Sequence, residues 1–211
     1  MNSFGKGAIF GATIAVAFMS VVAFQGAAPK NGSIDLDKVV RESKIGKEAE
    51  AQFNRDTRLR NELLQHFDAF RCYDENQRKE VRDLWLAPTR TAEQEKRLDL
   101  LKTQGQAMQK ELADLQMKAE KDRTKEESDR LRELTRRAID MDRNYLPMLN
   151  DELRTELQNW RQKSLTDIIN KVKAAVQKIG KEQGFSVVFD AQYAPYTPTD
   201  ISDLVLKEID K

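Results

Sequence analysis

Apolar residues recur at every third or fourth position through most of the chain between Asp37 and Gly184, and charged or amide side chains fill the positions between them. In the second half the spacing alternates strictly between three and four, at Leu131, Leu134, Ala138, Met141, Tyr145 and Met148. A narrow and sustained apolar stripe of this kind is typical of the seam of a coiled coil. The pattern therefore predicts long amphipathic helices that pair along one face, with a solvated charged surface opposite.

Helix breaks and helix starts divide this region into an arm with a tip. Pro88 interrupts the first helical run. Either Thr89 or Thr91 is expected to cap the helix that follows, and Thr124 is followed by acidic residues, as at the N-terminus of a helix. We therefore predict a helical hairpin arm over residues 38–183, with a tip near residues 88–123 that contains an additional helix. The alternative is a single break at Pro88, with one helix returning directly from it.

The two sides of the predicted arm are long helices. The outgoing helix is expected to run unbroken from about residue 38 to residue 86. The return helix is expected to run from about residue 124 to residue 183 and to bend near Pro147, because an interior proline removes one helical hydrogen bond.

The residues that surround Thr91 recur around Thr124. The matching positions are Thr91, Glu93, Arg97, Leu98, Leu101 and Met108 in the first copy, and Thr124, Glu126, Arg130, Leu131, Leu134 and Met141 in the second. Either a helical segment is duplicated, or two similar helix starts arise from a biased composition. Two copies do not make a solenoid, which needs three or more.

Short stretches with strand character flank the helical region. Ile34 and Leu36 alternate with polar residues near its start, and Phe185, Val187 and Phe189 share one face of FSVVFD near its end. A helical hairpin brings these two stretches together. Two strands are marginal in water by themselves, so we expect this part of the chain to associate with further copies.

The C-terminal segment completes the predicted assembly body. Pro195 and Pro198 restrict any third strand there to a short edge strand, and Ser202 opens a last helix. The body is expected to comprise residues 32–37 and 184–211. Its predicted core consists of Ile34, Leu36, Phe185, Val187, Phe189, Ile201 and Val205. The sequence thus predicts a mostly α fold, in which a long antiparallel coiled-coil hairpin is attached to a small β body.

The N-terminus differs from the rest of the chain. Lys6 is followed by an apolar run from Ala8 to Phe24, slightly shorter than the ~20 residues that span a bilayer. The pattern favours a cleaved signal peptide over residues 1–28, and an uncleaved membrane anchor is the alternative. Both alternatives predict an exported protein.

Composition argues against most kinds of catalysis. The 36 basic and 35 acidic residues are nearly balanced, which argues against a nucleic-acid-binding protein. His66 is the only histidine and Cys72 the only cysteine, so neither a Cys/His metal cluster nor a histidine-based triad is expected. No glycine-rich phosphate loop is present. We expect a protein that is not an enzyme and that has no metal, cofactor or nucleic-acid partner.

A single thiol forms no intrachain disulfide. Cys72 is therefore either a small buried apolar residue or the site of an intermolecular bridge in an oxidising compartment.

Three stretches at the two ends of the chain resemble the Skp/OmpH family of periplasmic chaperones. They are IDLDKVVRESKIGKEAEAQF, VKAAVQKIGKEQGFSVVFD and TDISDLVLKEIDK. The family patterns are V-D-x-x-K-V with S-x-x-G-K, K-A-I-x-x-x-A-K-E-x-G-Y-x-L-V-L-D, and D-I-T-D-x-V-I-x-x-L-N-K. Ser202 stands where the third pattern has threonine. Residues Asn54 to Arg161 match no such pattern, and this middle region is longer than the usual arm of the family.

The resemblance implies a periplasmic homotrimer in which helical hairpin arms hang from a shared β body and enclose a cavity. Unfolded outer-membrane or envelope proteins are held in that cavity without ATP. The best-known members are strongly basic, whereas this chain is balanced, so a lipopolysaccharide site is not implied. Membrane contact is expected only through an uncleaved leader. The alternative function is that of a structural coiled-coil protein of the envelope, tethered by that leader.

Such a chaperone needs adaptable apolar side chains that contact an unfolded protein. The candidates near the predicted tip are Trp85, Leu86, Met108 and Met117. Flexible methionine side chains suit contacts with varied partners. The alternative is that these four residues close the small core of the tip itself.

Overall fold

Long helices and one small sheet make up the protein in a computed structural model, which describes residues 29–194, 196–197 and 199–211. The predicted leader, residues 1–28, lies outside the described residues. The strands are β1 (Lys30–Ile34) and β2 (Phe185–Asp190). The α-helices are α1 (Leu36–Glu42), α2 (Lys44–Ala69), α3 (Glu75–Leu86), α4 (Ala92–Met117), α5 (Lys125–Asp140), α6 (Leu146–Gln183) and α7 (Ser202–Ile209). This composition confirms the predicted fold class of helical arm and small β body.

The described chain forms two compact units. One unit, called here the body, comprises the described residues up to Lys47 together with Thr166–Lys211. The other, called here the helical unit, comprises Glu48–Leu165.

The helical unit is built on the pairing of α2 with α6. The ring of Phe53 stacks on that of Trp160, with centroids 6.3 Å apart. Further along α2, Arg60 Nη2 lies 3.6 Å from the Glu156 carboxylate. Residue numbers rise along α2 while those of the partners on α6 fall, so the two helices are antiparallel and the predicted hairpin is confirmed.

The outgoing side of the hairpin is not one continuous helix, and that prediction is wrong. The chain leaves the helix after Ala69 and re-enters one at Glu75. Asp74 caps the new helix, because its Oδ1 accepts a hydrogen bond from Gln77 N at 2.9 Å while the Gln77 side chain accepts one from Asp74 N at 3.1 Å. This reciprocal capping satisfies two backbone donors and fixes a helix start inside an otherwise helical run.

The additional helix predicted near the tip is α4, and only its first half contributes to the central core. Helices α3 and α4 form a second antiparallel pair that packs on α2 and α6. The buried side chains of this shared core are Leu63, Phe67, Tyr73, Val81, Leu98, Leu101, Met141, Leu149 and Leu153. The outer half of α4 packs with α5 around a smaller cluster of Cys72, Leu112, Leu115 and Leu134. The hairpin turn between these last two helices spans residues 118–124, which include a 3-10 turn at Glu120–Asp122.

The helix starts predicted at Thr91 and Thr124 are confirmed, and both are built in the same way. Each threonine hydroxyl accepts a hydrogen bond from the backbone N–H three residues ahead, and the side chain at that position bonds back to the threonine N–H. The arginine just before each threonine, Arg90 or Arg123, donates to a carbonyl near the end of the preceding helix, at 3.1 Å and 2.9 Å respectively. Local hydrogen bonds therefore fix the connection from α3 to α4 and the connection from α4 to α5. We call these two connections, with the helix ends that they join, the helical corners.

A bidentate ion pair joins the two helices of each corner. Arg97 of α4 makes two 2.7 Å contacts with Glu80 of α3. Arg130 of α5 makes two 2.9 Å contacts with Glu111 of α4. The similarity between the two stretches of sequence thus corresponds to one helical corner that occurs twice.

A π-helical segment, Met141–Tyr145, links α5 to α6. Leu146 N donates to Met141 O, five residues back, and Pro147 has no N–H with which to continue the α-helical pattern. The wider turn shifts the apolar stripe by one residue. Met148 is 55% exposed while Leu149 is fully buried, so the strict spacing of three and four is wrong at Met148.

The buried guanidinium of Arg78 connects α3 to the end of α5 through hydrogen bonds. Arg78 is almost fully buried. Its guanidinium donates to Tyr73 O at 3.1 Å, to Asp140 Oδ2 at 2.6 Å and to Arg137 O at 3.1 Å. Because an unpaired buried charge is strongly unfavourable, these three acceptors fix where α3 meets α5.

The side chain of Tyr73 fits a notch in α4. Its hydroxyl donates to Leu101 O at 2.8 Å and lies 2.9 Å from His66 Nε2. A Cβ atom at Gly105 would lie 2.1 Å from that hydroxyl oxygen. The absence of a side chain at Gly105 therefore allows the turn before α3 to dock on α4.

We predict that Gly105→Ala lowers the free energy of unfolding by about 1–3 kcal/mol, because the added methyl group displaces the rigid Tyr73 ring from a close-packed site. The matched control is Gly180→Ala, since a Cβ there meets no atom within 4 Å. That change should raise the free energy of unfolding by about 0.5–1 kcal/mol through helix propensity. Urea titration followed by circular dichroism measures both effects, and equal effects of the two substitutions would contradict this account.

His66 lies among aromatic rings that join α2, α3 and the turn between them. The centroids of the Phe70 and Trp85 rings both lie 5.0 Å from that of His66. Burial, together with a smaller effect of the nearby Lys102 ammonium, lowers the pKa of His66 from 6.5 to about 4. The phenolic proton of Tyr73 is directed at Leu101 O, so the neutral imidazole donates from Nε2 to the Tyr73 oxygen.

We expect the stability of the helical unit to fall as the pH is lowered from 6.5 toward 4. In this window the unfolded chain protonates His66 and the folded chain does not, so acidification favours unfolding; above pH 6.5 the imidazole is neutral in both states. His66→Gln retains an N–H donor and removes this titration. The stability difference between wild type and this variant, measured by urea titration at several pH values, should change over this window. Parallel pH profiles would rule out the effect.

Candidate functional site

The body is organised by a two-stranded parallel sheet. Ser33 of β1 pairs with Phe189 of β2, and Ile34 pairs with Asp190. The first strand had been predicted to continue through Leu36, and this is wrong because Leu36 is the first residue of α1.

The first strand ends at Ile34 because the next residue starts a helix. Asp35 Oδ1 accepts a hydrogen bond from Lys38 N at 2.8 Å and so caps α1. The alternation of Ile34 and Leu36 with acidic residues resembles a strand, but its second half is a helix N-terminus. Leu36 is half-buried there, and Val39 of α1 is the fully buried residue.

A short segment from the C-terminal region covers the other edge of β1. Ser33 N donates to Thr199 O at 2.8 Å, and Ile201 N donates to Ser33 O at 2.9 Å. Ser33 also forms a parallel bridge with Asp200. β1 therefore lies between β2 and this bridge, in agreement with the expectation that any third strand is short.

Ser202 fastens α7 to the turn that follows β1. Its buried hydroxyl accepts a hydrogen bond from Asp35 N at 2.9 Å and donates to Asp200 Oδ1 at 2.5 Å. On the surface, Lys38 Nζ lies 2.8 Å from the Asp203 carboxylate. The buried hydroxyl fixes the position of α7 more firmly than the exposed ion pair does.

The predicted core residues of the body occupy three different environments. Ile34, Phe185, Ile201 and Val205 are buried within the chain. Leu36 and Val187 are half-buried. Phe189 is 39% exposed.

Exposed aromatic side chains occur on β2 and in the loop that follows it. The outer edge of β2 pairs with no other strand in the described part of the chain. Phe189 near its end is followed by Tyr193 and by Tyr196, which is 98% exposed. We call Phe189, Tyr193, Tyr196 and the outer edge of β2 the aromatic edge. Exposed apolar side chains beside an unpaired strand are typical of an interaction surface.

Sequence analysis missed the two tyrosines of the aromatic edge. The sequence predicts only that Pro195 and Pro198 limit strand formation in this segment. The available signal was the placement of Tyr193 and Tyr196 in a loop that contains prolines, since loops lie on the surface.

The four candidate client contacts lie in different environments in the helical unit. Trp85, Leu86 and Met108 pack against its buried core. Met117, at the end of α4, is 85% exposed. The ammonium of Lys102 lies 4.7 Å from the centre of the Trp85 ring and covers part of it.

The described residues offer little for metal or thiol chemistry. Among residues 29–194, 196–197 and 199–211, no group of three or more His, Cys, Asp and Glu side chains is placed to hold a metal ion. Cys72 is buried, its Sγ lies 3.6 Å from Gln109 Oε1, and burial raises its pKa. An intermolecular bridge would therefore require this part of the core to open.

Within the same described ranges, no helix combines the length and the apolar character needed to cross a bilayer.

Comparison with known families gives one match. The family described as Outer membrane protein (OmpH-like) matches residues 30–209, from the start of β1 to the end of α7. No curated protein and no solved structure matches the chain. The family match confirms the resemblance seen at the two ends and extends it across the helical unit.

We predict that Phe189→Asp reduces self-association through the aromatic edge. A carboxylate there would have to lose its hydration when another copy covers the strand. Light scattering coupled to size exclusion should give a lower molar mass for this variant than for wild type. The matched control is Leu100→Asp, because Leu100 is also exposed but lies in the helical unit. Equal masses for all three proteins would exclude Phe189 from the contact.

Proposed function

Because the chain belongs to the OmpH-like family of outer membrane proteins, we propose that it is an ATP-independent holdase of the periplasm. Its clients are unfolded outer-membrane or envelope proteins, and its working form is a homotrimer. Members of this family act as chaperones and not as enzymes, and the sequence offers neither a phosphate-binding loop nor a histidine-based triad.

The aromatic edge is the structural observation that supports self-association. A two-stranded sheet is marginal by itself, and the body exposes Phe189 beside an unpaired strand. Further copies of the body would cover both the aromatic side chains and the free backbone groups. The body is therefore the assembly element of the proposed trimer.

The helical unit is the element proposed to work on clients. Its helices keep their own core closed, as the burial of Tyr73, Leu101 and Leu149 indicates. Apolar side chains nevertheless remain on its surface, including Met117, Ile139 and Met148. Scattered apolar side chains on a charged helical surface suit many weak contacts with an unfolded chain rather than one specific site.

The test is aggregation of an unfolded β-barrel protein after dilution from urea, followed by light scattering. We expect a few-fold molar excess of the trimer to suppress aggregation without nucleotide. Phe189→Asp should suppress it less well, because separate chains no longer enclose a client between several arms. Leu100→Asp serves as the control for assembly.

A wild-type protein that does not slow aggregation would overturn the proposal. Persistence of the leader in the exported protein, established by mass measurement, would then favour a tethered coiled-coil protein with a structural role.

A further inference from the structure

Helix α5 carries a groove beside the side chains that contact its core. The groove has a volume of about 540 Å³, and its lining residues are Leu131, Arg132, Thr135, Arg136, Ile139, Asp140 and Asn144. Part of α5 is occupied within the chain, because Leu134 is fully buried and Leu131 and Ala138 pack against the same small cluster. Leu131 therefore borders both this cluster and the groove, whereas Ile139 is exposed and does not belong to the cluster.

The floor of the groove is an apolar row along the helix axis. Leu131, Thr135 and Ile139 follow one another at intervals of four residues, and Ile139 is 46% exposed. With a rise of 1.5 Å per residue, successive members lie about 6 Å apart along the axis. Alternate residues of an extended chain are about 6.6 Å apart. The row therefore matches the spacing of side chains on one face of an extended strand.

Guanidinium groups flank this apolar row. Arg132 pairs with Asp129 on the surface, and the charge of Arg136 helps to lower the pKa of Asp140. The carboxylate of Asp140 is already used, because Arg78 lies 2.6 Å from it and Asn144 donates to it at 2.8 Å. The groove therefore presents a net positive charge beside its apolar floor.

We propose that this groove binds extended segments of unfolded protein in which apolar residues alternate with acidic ones. The apolar side chains would lie on the row from Leu131 to Ile139, and the acidic ones would face Arg132 and Arg136. This inference rests on the proposed holdase function and names a surface that makes the contact. Strands of β-barrel proteins alternate apolar and polar residues in this way.

The test uses fluorescent peptides of about nine residues, which span about 30 Å when extended. Their sequences alternate Val with Asp, Val with Lys, or Ser with Asp. The full-length assembled protein is titrated into each peptide, and binding is measured by fluorescence anisotropy. We expect the Val–Asp peptide to bind most tightly, because it alone satisfies both the apolar floor and the flanking charges.

Two substitutions separate the contributions of the floor and the flanks. Ile139→Ser should weaken binding of the Val–Asp peptide roughly five-fold, because less apolar surface leaves water on binding. Its matched control is Leu100→Ser, which changes a side chain of nearly equal exposure, 47%, on another helix. Arg136→Glu should also weaken binding roughly five-fold, and this loss should disappear in about 1 M salt, where charges are screened. Arg154→Glu makes the same charge change on α6, outside the groove.

Three outcomes would overturn the inference. The first is equal binding by Ile139→Ser and Leu100→Ser, and the second is equal binding of the Val–Asp and Val–Lys peptides. The third is a lower molar mass for Ile139→Ser by light scattering, which would make the groove a contact between copies. Aggregation assays distinguish this failure from that of the proposed function, because wild type would still suppress aggregation if only the groove were misassigned.

Discussion

The pairing of β1 with β2 is the constraint on which the rest of the structure depends. The two strands come from opposite ends of the described chain, so they meet only if everything between them doubles back. Closing a loop of that length costs entropy, and a two-stranded sheet contributes too little to offset it. The antiparallel pairing of α2 with α6 lowers this cost, because the intervening chain is then ordered as helix. In turn, the small sheet and α7 hold the first and last parts of the described chain against each other.

The sequence predicts those parts of the fold that are specified locally. Thr91 and Thr124 start helices because their partners lie three residues away, and FSVVFD becomes a strand because its alternation is local. The break before Asp74 was missed because its capping box lies inside a run of good helix-forming residues. The shift of the apolar stripe near Pro147 was missed for a different reason. A strict spacing of three and four assumes uninterrupted α-helical geometry, whereas the π-helical segment adds one residue to the turn.

The same difference between local and distant contacts applies to the functional surfaces. Ile34, Phe185, Ile201 and Val205 are buried within the chain, and their pattern within short elements already indicates apolar contacts. Trp85 and Met108 pack against the core because α3 and α4 fold back on α2 and α6, and no short stretch of sequence encodes that contact. Ile139 lies off the predicted seam, so the apolar spacing does not identify it as a contact residue. Its environment depends on which face of α5 the neighbouring helices leave open.

The helical corner that occurs twice has a consequence for how proteins of this kind diverge. Its Arg–Thr cap, its capping box and its bidentate ion pair all lie within a short stretch of chain. A corner can therefore be copied or lost as one piece, while the strands at the two ends keep their partners. The length of the helical region can then change without a change in the strands that form the assembly element. Homologues would differ in the first by discrete steps and preserve the second.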